Sequence, residues 1–179
     1  RVVAHTVRRH GRLDVLVNNA GVIHVGDPLN ADGEEWRQMF AVNVDGTRHV
    51  LEGARAAGAR RVVHCSTGGV HGHISHPPAN EDAPFNPGDI YQDTKLEAET
   101  LAREFGRAHG LDVVVARPIG IHGPGDTRFL KMFRGIARGR FPMLGACEVF
   151  YHLTYIDDLV EGFRLCGEVA QAAGRTYIL

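Results

Sequence analysis

Tyr91 and Lys95 stand four residues apart in Tyr91-Gln92-Asp93-Thr94-Lys95, a spacing that puts a phenol and an ammonium on one helical face. A phenol of pKa near 10 is a poor base at neutral pH, but a nearby cation favours the phenolate and lowers that value. Such a phenol can exchange a proton with an alcohol or ketone while a cofactor carries the hydride. The ammonium can also bond a ribose hydroxyl. The plainer account is a tyrosine and a lysine on a solvated helix face. Four tyrosines and two lysines in 179 residues produce this spacing by chance about 4% of the time. Composition sharpens the case. Of the 20 Lys and Arg residues only Lys95 and Lys131 are lysine, and one falls where a compact ammonium is needed.

The elements that must hold these residues alternate between two periods. Apolar runs at 13–17 (LDVLV), 61–64 (RVVH) and 111–116 (LDVVVA) predict strands covered on both faces. Helical spacing predicts helices over 34–57, 91–109 and 129–138, with Gly58 and Gly110 ending the first two. The segment 141–154 is mixed. Asp157 or the pair Asp157-Asp158 is expected to cap a last helix through Val169, and residues 176–179 begin another strand. Strand–helix–strand alternation predicts a parallel sheet with helices on both faces. Ligands bind such sheets beyond the strands' carboxyl ends, so the loops after Val17, His64 and Ala116 should share one mouth.

Bulk composition narrows the classes. Residues are 44% hydrophobic and 23% charged, ordinary for one globular domain with its own core. A net charge of -1 supplies no basic field for nucleic acid or an anionic membrane. No apolar run reaches membrane-span length. Cys65, Cys147 and Cys166 are an odd set without paired spacing, which fits a reducing cytoplasm.

Val-Asn-Asn-Ala-Gly at 17–21, Asn43 in VNVDGT, Cys65-Ser66-Thr67 and Tyr91-x-x-x-Lys95 together resemble the short-chain dehydrogenase/reductase superfamily. The stretches VNVDGTRHVLEGA, HCSTGGVHG, YQDTKLEAE, ARPIGIHGPGD and YHLTYIDDLVEGF resemble its extended branch, the NAD-dependent epimerase/dehydratase family. The Asn-Asn-Ala-Gly form is more typical of the single-domain reductases. The resemblance covers essentially the whole chain and implies a Rossmann-like, doubly wound α/β fold with NAD or NADP as cofactor. It implies Tyr91 as acid/base, Lys95 as its partner, and Thr67 as the hydroxyl that bonds the substrate oxygen, with Ser66 as fallback if the register shifts by one. Asn43 matches an asparagine that anchors a relay water in the single-domain reductases, although a mid-helix Asn also serves as a helix–helix hydrogen bond. Asn18, Ala20, Gly21, Ser66, Pro118, Ile119 and Gly120, with Tyr91 and Lys95, match cofactor-contacting positions. A small-molecule substrate and a homodimer through the 34–57 and 91–109 helices are further expectations.

Departures from the pattern matter as much. The family's glycine-rich phosphate turn follows the first strand, and nothing before Leu13 resembles it. Gly120-x-x-Gly123-x-Gly125 follows the wrong strand with the wrong spacing. The expectation is a single incomplete Rossmann-like domain over 1–179, lacking its first strands, with 127–155 contributing to the substrate part and the 13–17 strand left as an edge. An inactive fragment and a non-catalytic dinucleotide-binding regulator are the competing accounts. The family's dehydratases carry Asp-Glu after the catalytic threonine; Gly68-Gly69 here leaves dehydration without machinery. Gly120 replaces an Asn common in nucleotide-sugar epimerases, and the run from Arg117 to Asp126 also resembles 3β-hydroxysteroid-dehydrogenase-like and flavonol-reductase-like members. Hydride transfer at a secondary alcohol or ketone of a sugar-like or sterol-like molecule is therefore expected. His71, His73 and His76 are read as a flexible loop over the mouth with no metal. Arg128, Lys131 and Arg134 are read as a solvated helix face.

Overall fold

The computed structural model describes residues 2–11, 21–22, 33–143 and 151–179. The 13–17 strand, Asn18, Ala20 and Cys147 lie outside them. Three strands form a parallel sheet in the order β1 (Arg61–Cys65), β2 (Asp112–Arg117), β5 (Thr176–Ile178). A second parallel pair joins β3 (Gly120–His122) to β4 (Leu153–Tyr155). These strands are short and rich in β-branched residues, and their apolar positions serve two faces, as helices on both sides require.

Alternation assigns the faces. Val62 and Val113 are opposite each other in register and pack with Leu51, Ala102 and Phe105. Those residues come from α3 (Gly46–Ala56) and α4 (Ile90–His109). Val63 and Val114 point the other way, against Cys166 and Ala172 behind α6 (Ile156–Glu168). Full burial of Leu51, Val113 and Val114 is worth about 1.5–3 kcal/mol each. The doubly wound α/β class follows. Gly106 permits the close approach of α4 to the sheet, since a Cβ there would lie 2.8 Å from the Leu111 carbonyl oxygen.

α1 (Val2–His10) precedes α2 (Gly33–Phe40), which runs into α3 through a π-helical turn at Ala41–Asp45. The single helix expected over 34–57 thus carries a bulge, and Asn43 sits within it. Such bulges recur at functional positions. α4 matches expectation closely. Gly110 ends it with φ 65°, a left-handed conformation that glycine adopts without strain. α5 (Leu130–Ala137) is the short helix expected over 129–138.

Two expectations are corrected. Asp157 and Asp158 do not cap α6; Tyr155 occupies the cap position without a side-chain bond, and both carboxylates lie in the first turn, where they favour the helix dipole. The segment over the mouth is not loose at its root either. It starts as a 3-10 turn at Gly68–His71, and the Asn86 amide returns to the Val70 carbonyl at 3.0 Å. His71 is buried, and only His73 and His76 are exposed. Among the described residues no three His, Cys, Asp or Glu side chains gather as around a metal ion.

His64 on β1 is buried with its Nε2 unpartnered. Burial, aided by the Lys95 charge, lowers its pKa to about 4. The unfolded chain takes up this proton below the ordinary histidine value of about 6.5, and the folded chain resists until about 4. Stability should therefore fall as pH drops through that window, by about 2 kcal/mol between pH 7 and pH 5. Urea midpoints at the two pH values should show a smaller fall in His64→Leu; equal falls would remove His64 as the cause.

Candidate active site

The start of α4 is built by its cap. Asp89 accepts from the Gln92 amide at 2.8 Å, and Gln92 Oε1 accepts in turn from the Gly88 amide at 2.8 Å. This reciprocal arrangement is a variant of the capping box, and Asp89-x-x-Gln92 is its sequence signal. It fixes Tyr91 in the first turn, at the carboxyl end of the sheet. Thr94, fully buried, donates to the Tyr91 carbonyl at 2.9 Å and accepts from Asn43 Nδ2 at 3.0 Å.

Asn43 spends its side chain on protein. Besides Thr94, its amide donates to the Val22 carbonyl at 3.0 Å and its Oδ1 accepts from the Val22 amide at 3.1 Å. Its own carbonyl accepts from Thr47 Oγ1 at 2.7 Å. Asn43 is thus a clamp joining the 21–22 backbone to α4, the helix–helix alternative left open above. Gly21 lies beside it, with room for a Cβ 3.6 Å from Asn43 Oδ1.

Lys95 reaches the end of β1, donating to the Cys65 carbonyl at 2.6 Å. Burial lowers the pKa of this ammonium, and Cys65 and Glu99 partly offset that effect. The Tyr91 phenol is raised above its ordinary value of 10, by burial first and then by Cys65 and Asp89. The expected lowering by Lys95 is therefore corrected. The four-residue spacing does put both side chains on one face, but the ammonium turns to a backbone carbonyl, and desolvation prevails at the phenol. In this environment the neutral phenol is favoured.

Ser66 and Thr67 continue β1 along β2, through Ser66 N to Ala116 O at 2.7 Å and Gly68 N to Pro118 O at 2.8 Å. Thr67 is half-buried, and its Oγ1 accepts from the Gly69 amide at 3.1 Å. The hydroxyl therefore caps its own turn and still has a proton to donate. Ser66 is buried without a hydrogen bond of regular geometry, although its hydroxyl lies against Glu99 and helps keep that carboxylate ionised. Ser66 thus belongs to the layer under α4. Pro118 is buried and Ile119 exposed. Gly120 opens β3, where a Cβ would come 2.9 Å from the His152 carbonyl oxygen, so strand packing alone requires a glycine there.

Gly68 and Gly69 are crowded as well. A Cβ on Gly68 would lie 3.1 Å from Ile119 Cγ1, and one on Gly69 would lie 3.2 Å from Gln92 Cγ. The turn after Thr67 packs against the residue beside Tyr91, which leaves little space for an acidic pair. Sequence reasoning missed Thr94, Glu99 and Arg117. Continuing the four-residue spacing from Tyr91 and Lys95 reaches Glu99 and Arg103, a stripe that was available to find Glu99 but neither Thr94 nor Arg117.

A parallel doubly wound domain whose α4 lysine is seated on the carboxyl end of β1, two residues before Thr67, has the layout of a nucleotide-binding class. The sequence profile of the NAD dependent epimerase/dehydratase family matches residues 2–179, and the chain belongs to that family. It is 30% identical over 158 residues to a 3β-hydroxysteroid dehydrogenase/Δ5→4-isomerase of Mycobacterium tuberculosis, covering 86% of this chain and 43% of that protein. It is 32% identical over 142 residues to a UDP-glucose 4-epimerase of Mycolicibacterium smegmatis, covering 75% and 45%. The chain thus spans less than half the length of these relatives. Among solved structures it resembles DesIV, a dTDP-glucose 4,6-dehydratase of Streptomyces venezuelae with NAD bound, at TM-score 0.73 and 28% identity over 99% of this chain and 54% of that one.

Proposed function

We propose that this protein is an NAD(P)-dependent oxidoreductase or epimerase acting on a secondary alcohol or ketone. The observation that carries this is the Lys95 ammonium, one helical turn beyond Tyr91, bonded at 2.6 Å to the Cys65 carbonyl at the end of β1, two residues before Thr67. The residues fit a nicotinamide cofactor there, since Lys95 and Thr67 are half-buried and Gly68, next to Thr67, faces the exposed Ile119. The cofactor, when bound, gives or takes the hydride. Thr67 donates to the substrate oxygen and steadies charge developing there. Tyr91 transfers the proton at that oxygen, and Lys95 holds the end of β1 through the Cys65 carbonyl. Pro118, Ile119 and Gly120 border the cofactor on the β2 side and Gly21, beside Asn43, on the other; Asn18 and Ala20, matched to cofactor contacts by resemblance alone, lie outside the described residues.

The substrate reading rests on residues 127–155 and on the relatives. Beyond Pro118 and Ile119, His122 is flanked by Phe133 and Tyr155, and Phe129 contacts Phe133 and Tyr151. Such an aromatic wall suits an apolar ring system. A 3β-hydroxysteroid is the first substrate to assay and a nucleotide sugar the second. Among the described residues no helix is long and apolar enough to cross a membrane. The free thiols of Cys65 and Cys166 fit a reducing cytoplasm.

The test uses the protein with any coding sequence found upstream of Arg1. Titration with NADH and NADPH should give binding, and with at least one substrate class either oxidised cofactor should be reduced or the epimer of the substrate should form. Binding without turnover on either class would favour a non-catalytic regulator, and no binding would overturn the proposal. We also propose a homodimer through α3 and α4, whose outer groove is lined by Val44, Arg48, Glu97, Thr100, Leu101 and Glu104. Light scattering should report twice the chain mass; a clean monomer would remove the dimer.

A further inference from the structure

We infer that Arg117 is a positioning residue for the Thr67–Tyr91–Lys95 site, acting through Glu99 and His71. Arg117, at the end of β2, has no exposed surface, and Glu99 is 1% exposed. Its Nε and Nη2 donate to the two Glu99 oxygens at 3.0 and 2.6 Å. Its Nη1 donates to His71 Nε2 and to the Glu81 carbonyl, both at 2.9 Å. The Phe85 ring lies 5.0 Å over the guanidinium and stacks on His71.

Stability alone does not ask for this arrangement, because buried ion pairs are matched or exceeded by well-packed apolar residues. A guanidinium supplies a rigid planar fork that aims several donors at separate targets. Here the targets are α4, the 3-10 turn and the loop carrying Glu81 and Phe85. The first two are one step from the proposed chemistry. Glu99 lies one helical turn beyond Lys95, two beyond Tyr91, on the same face. His71 ends the turn whose cap is Thr67. Pro118, next to Arg117, accepts from the Gly68 amide. One side chain therefore sets the spacing between the strand end bearing Thr67 and the helix bearing Tyr91. A shift of about 1 Å between such groups can cost a hundredfold in rate.

The histidine's role is specific. Because Arg117 can only donate, His71 Nε2 accepts, and the proton sits on Nδ1, which faces the Pro84 carbonyl at 3.2 Å. Glutamine can reproduce that acceptor and leucine cannot.

This inference rests on the proposed function, so the test has one readout tied to turnover and one that is not. In His71→Leu, exchange of the Gly69 amide, which bonds Thr67 Oγ1, should speed up by about tenfold or more. Turnover number should fall by about a hundredfold while cofactor affinity stays within about twofold. His71→Gln should restore both to near wild type. Equal Gly69 protection in wild type and His71→Leu, or a His71→Gln variant as impaired as His71→Leu, would overturn the inference. If wild type turns over no substrate, the proposed function fails and Gly69 exchange alone judges the positioning role. If His71→Leu does not fold, Arg117→Lys, which keeps the charge without the fork, takes its place with the same readouts.

Discussion

Tyr91→Phe is expected to reduce turnover by about 10²–10⁴-fold while leaving cofactor affinity within about twofold. The substitution removes one oxygen from a half-buried ring and leaves its packing on α4 in place. The helix start depends on Asp89, Gln92 and Thr94, all of which bond backbone rather than the phenol. A loss of this size would therefore report proton transfer and not a disturbed site. The direction of the phenol shift gives a second check. Raised by burial, Tyr91 should remain protonated through neutral pH in the cofactor-free chain. An ultraviolet difference titration of wild type minus Tyr91→Phe should show the phenolate only above the ordinary tyrosine value of about 10. Retained turnover in Tyr91→Phe would refute the acid/base role, and a phenolate appearing near neutrality would show Lys95 prevailing over desolvation.

The second large effect is expected at the buried ion pair. Glu99→Ala should destabilise the fold by about 3–5 kcal/mol, because it leaves Arg117 charged, buried and without its carboxylate. Arg103 loses a partner too, since its Nε donates to Glu99 Oε1 at 3.1 Å. Burial pushes the Glu99 carboxyl up, but the Arg117 hydrogen bonds, the nearby Ser66 hydroxyl and the charges of Arg117 and Arg103 more than reverse it. A depressed carboxylate stabilises the fold above its unfolded value, near 4.5. That contribution is lost as pH falls further, through the folded value. The double variant Glu99→Leu with Arg117→Met should recover most of the loss, since apolar replacement removes both desolvation costs. Urea midpoints at unchanged denaturant slope would measure both. Stability in Glu99→Ala equal to wild type would mean that the pair is solvated in solution.

Much of this architecture is legible in order along the chain. Residues 61–64 and 111–116 read as covered strands because their valines serve two faces. The 91–109 helix is visible from its periodicity and from Gly110. The helix over 34–57 was legible as a helix but not as a bulged one. The bulge follows from Asn43 satisfying Val22 and Thr94, partners far away in sequence. The capping expectation for Asp157 and Asp158 failed through register. β4 runs to Tyr155 and the helix starts directly after it, so the carboxylates fall two and three positions past the place where a cap acts. His71 was grouped with His73 and His76 because glycine and proline surround all three. Its burial depends on Arg117, 46 residues away.

Tyr91-x-x-x-Lys95 began as a pair that could lower a phenol's pKa. By itself the sequence determined that the two residues share a helical face, because local spacing sets that geometry. It also determined the parallel α/β class, because apolar periodicity reports how many faces of an element are covered. Only the tertiary structure decided where the ammonium goes and which way the phenol shifts. Lys95 meets Cys65 O, 30 residues earlier, and Tyr91 is desolvated by neighbours that folding brings together. Electrostatic environment is a property of packed neighbours, and Glu99, Arg117 and His71 meet only once the sheet, helix and loop are assembled.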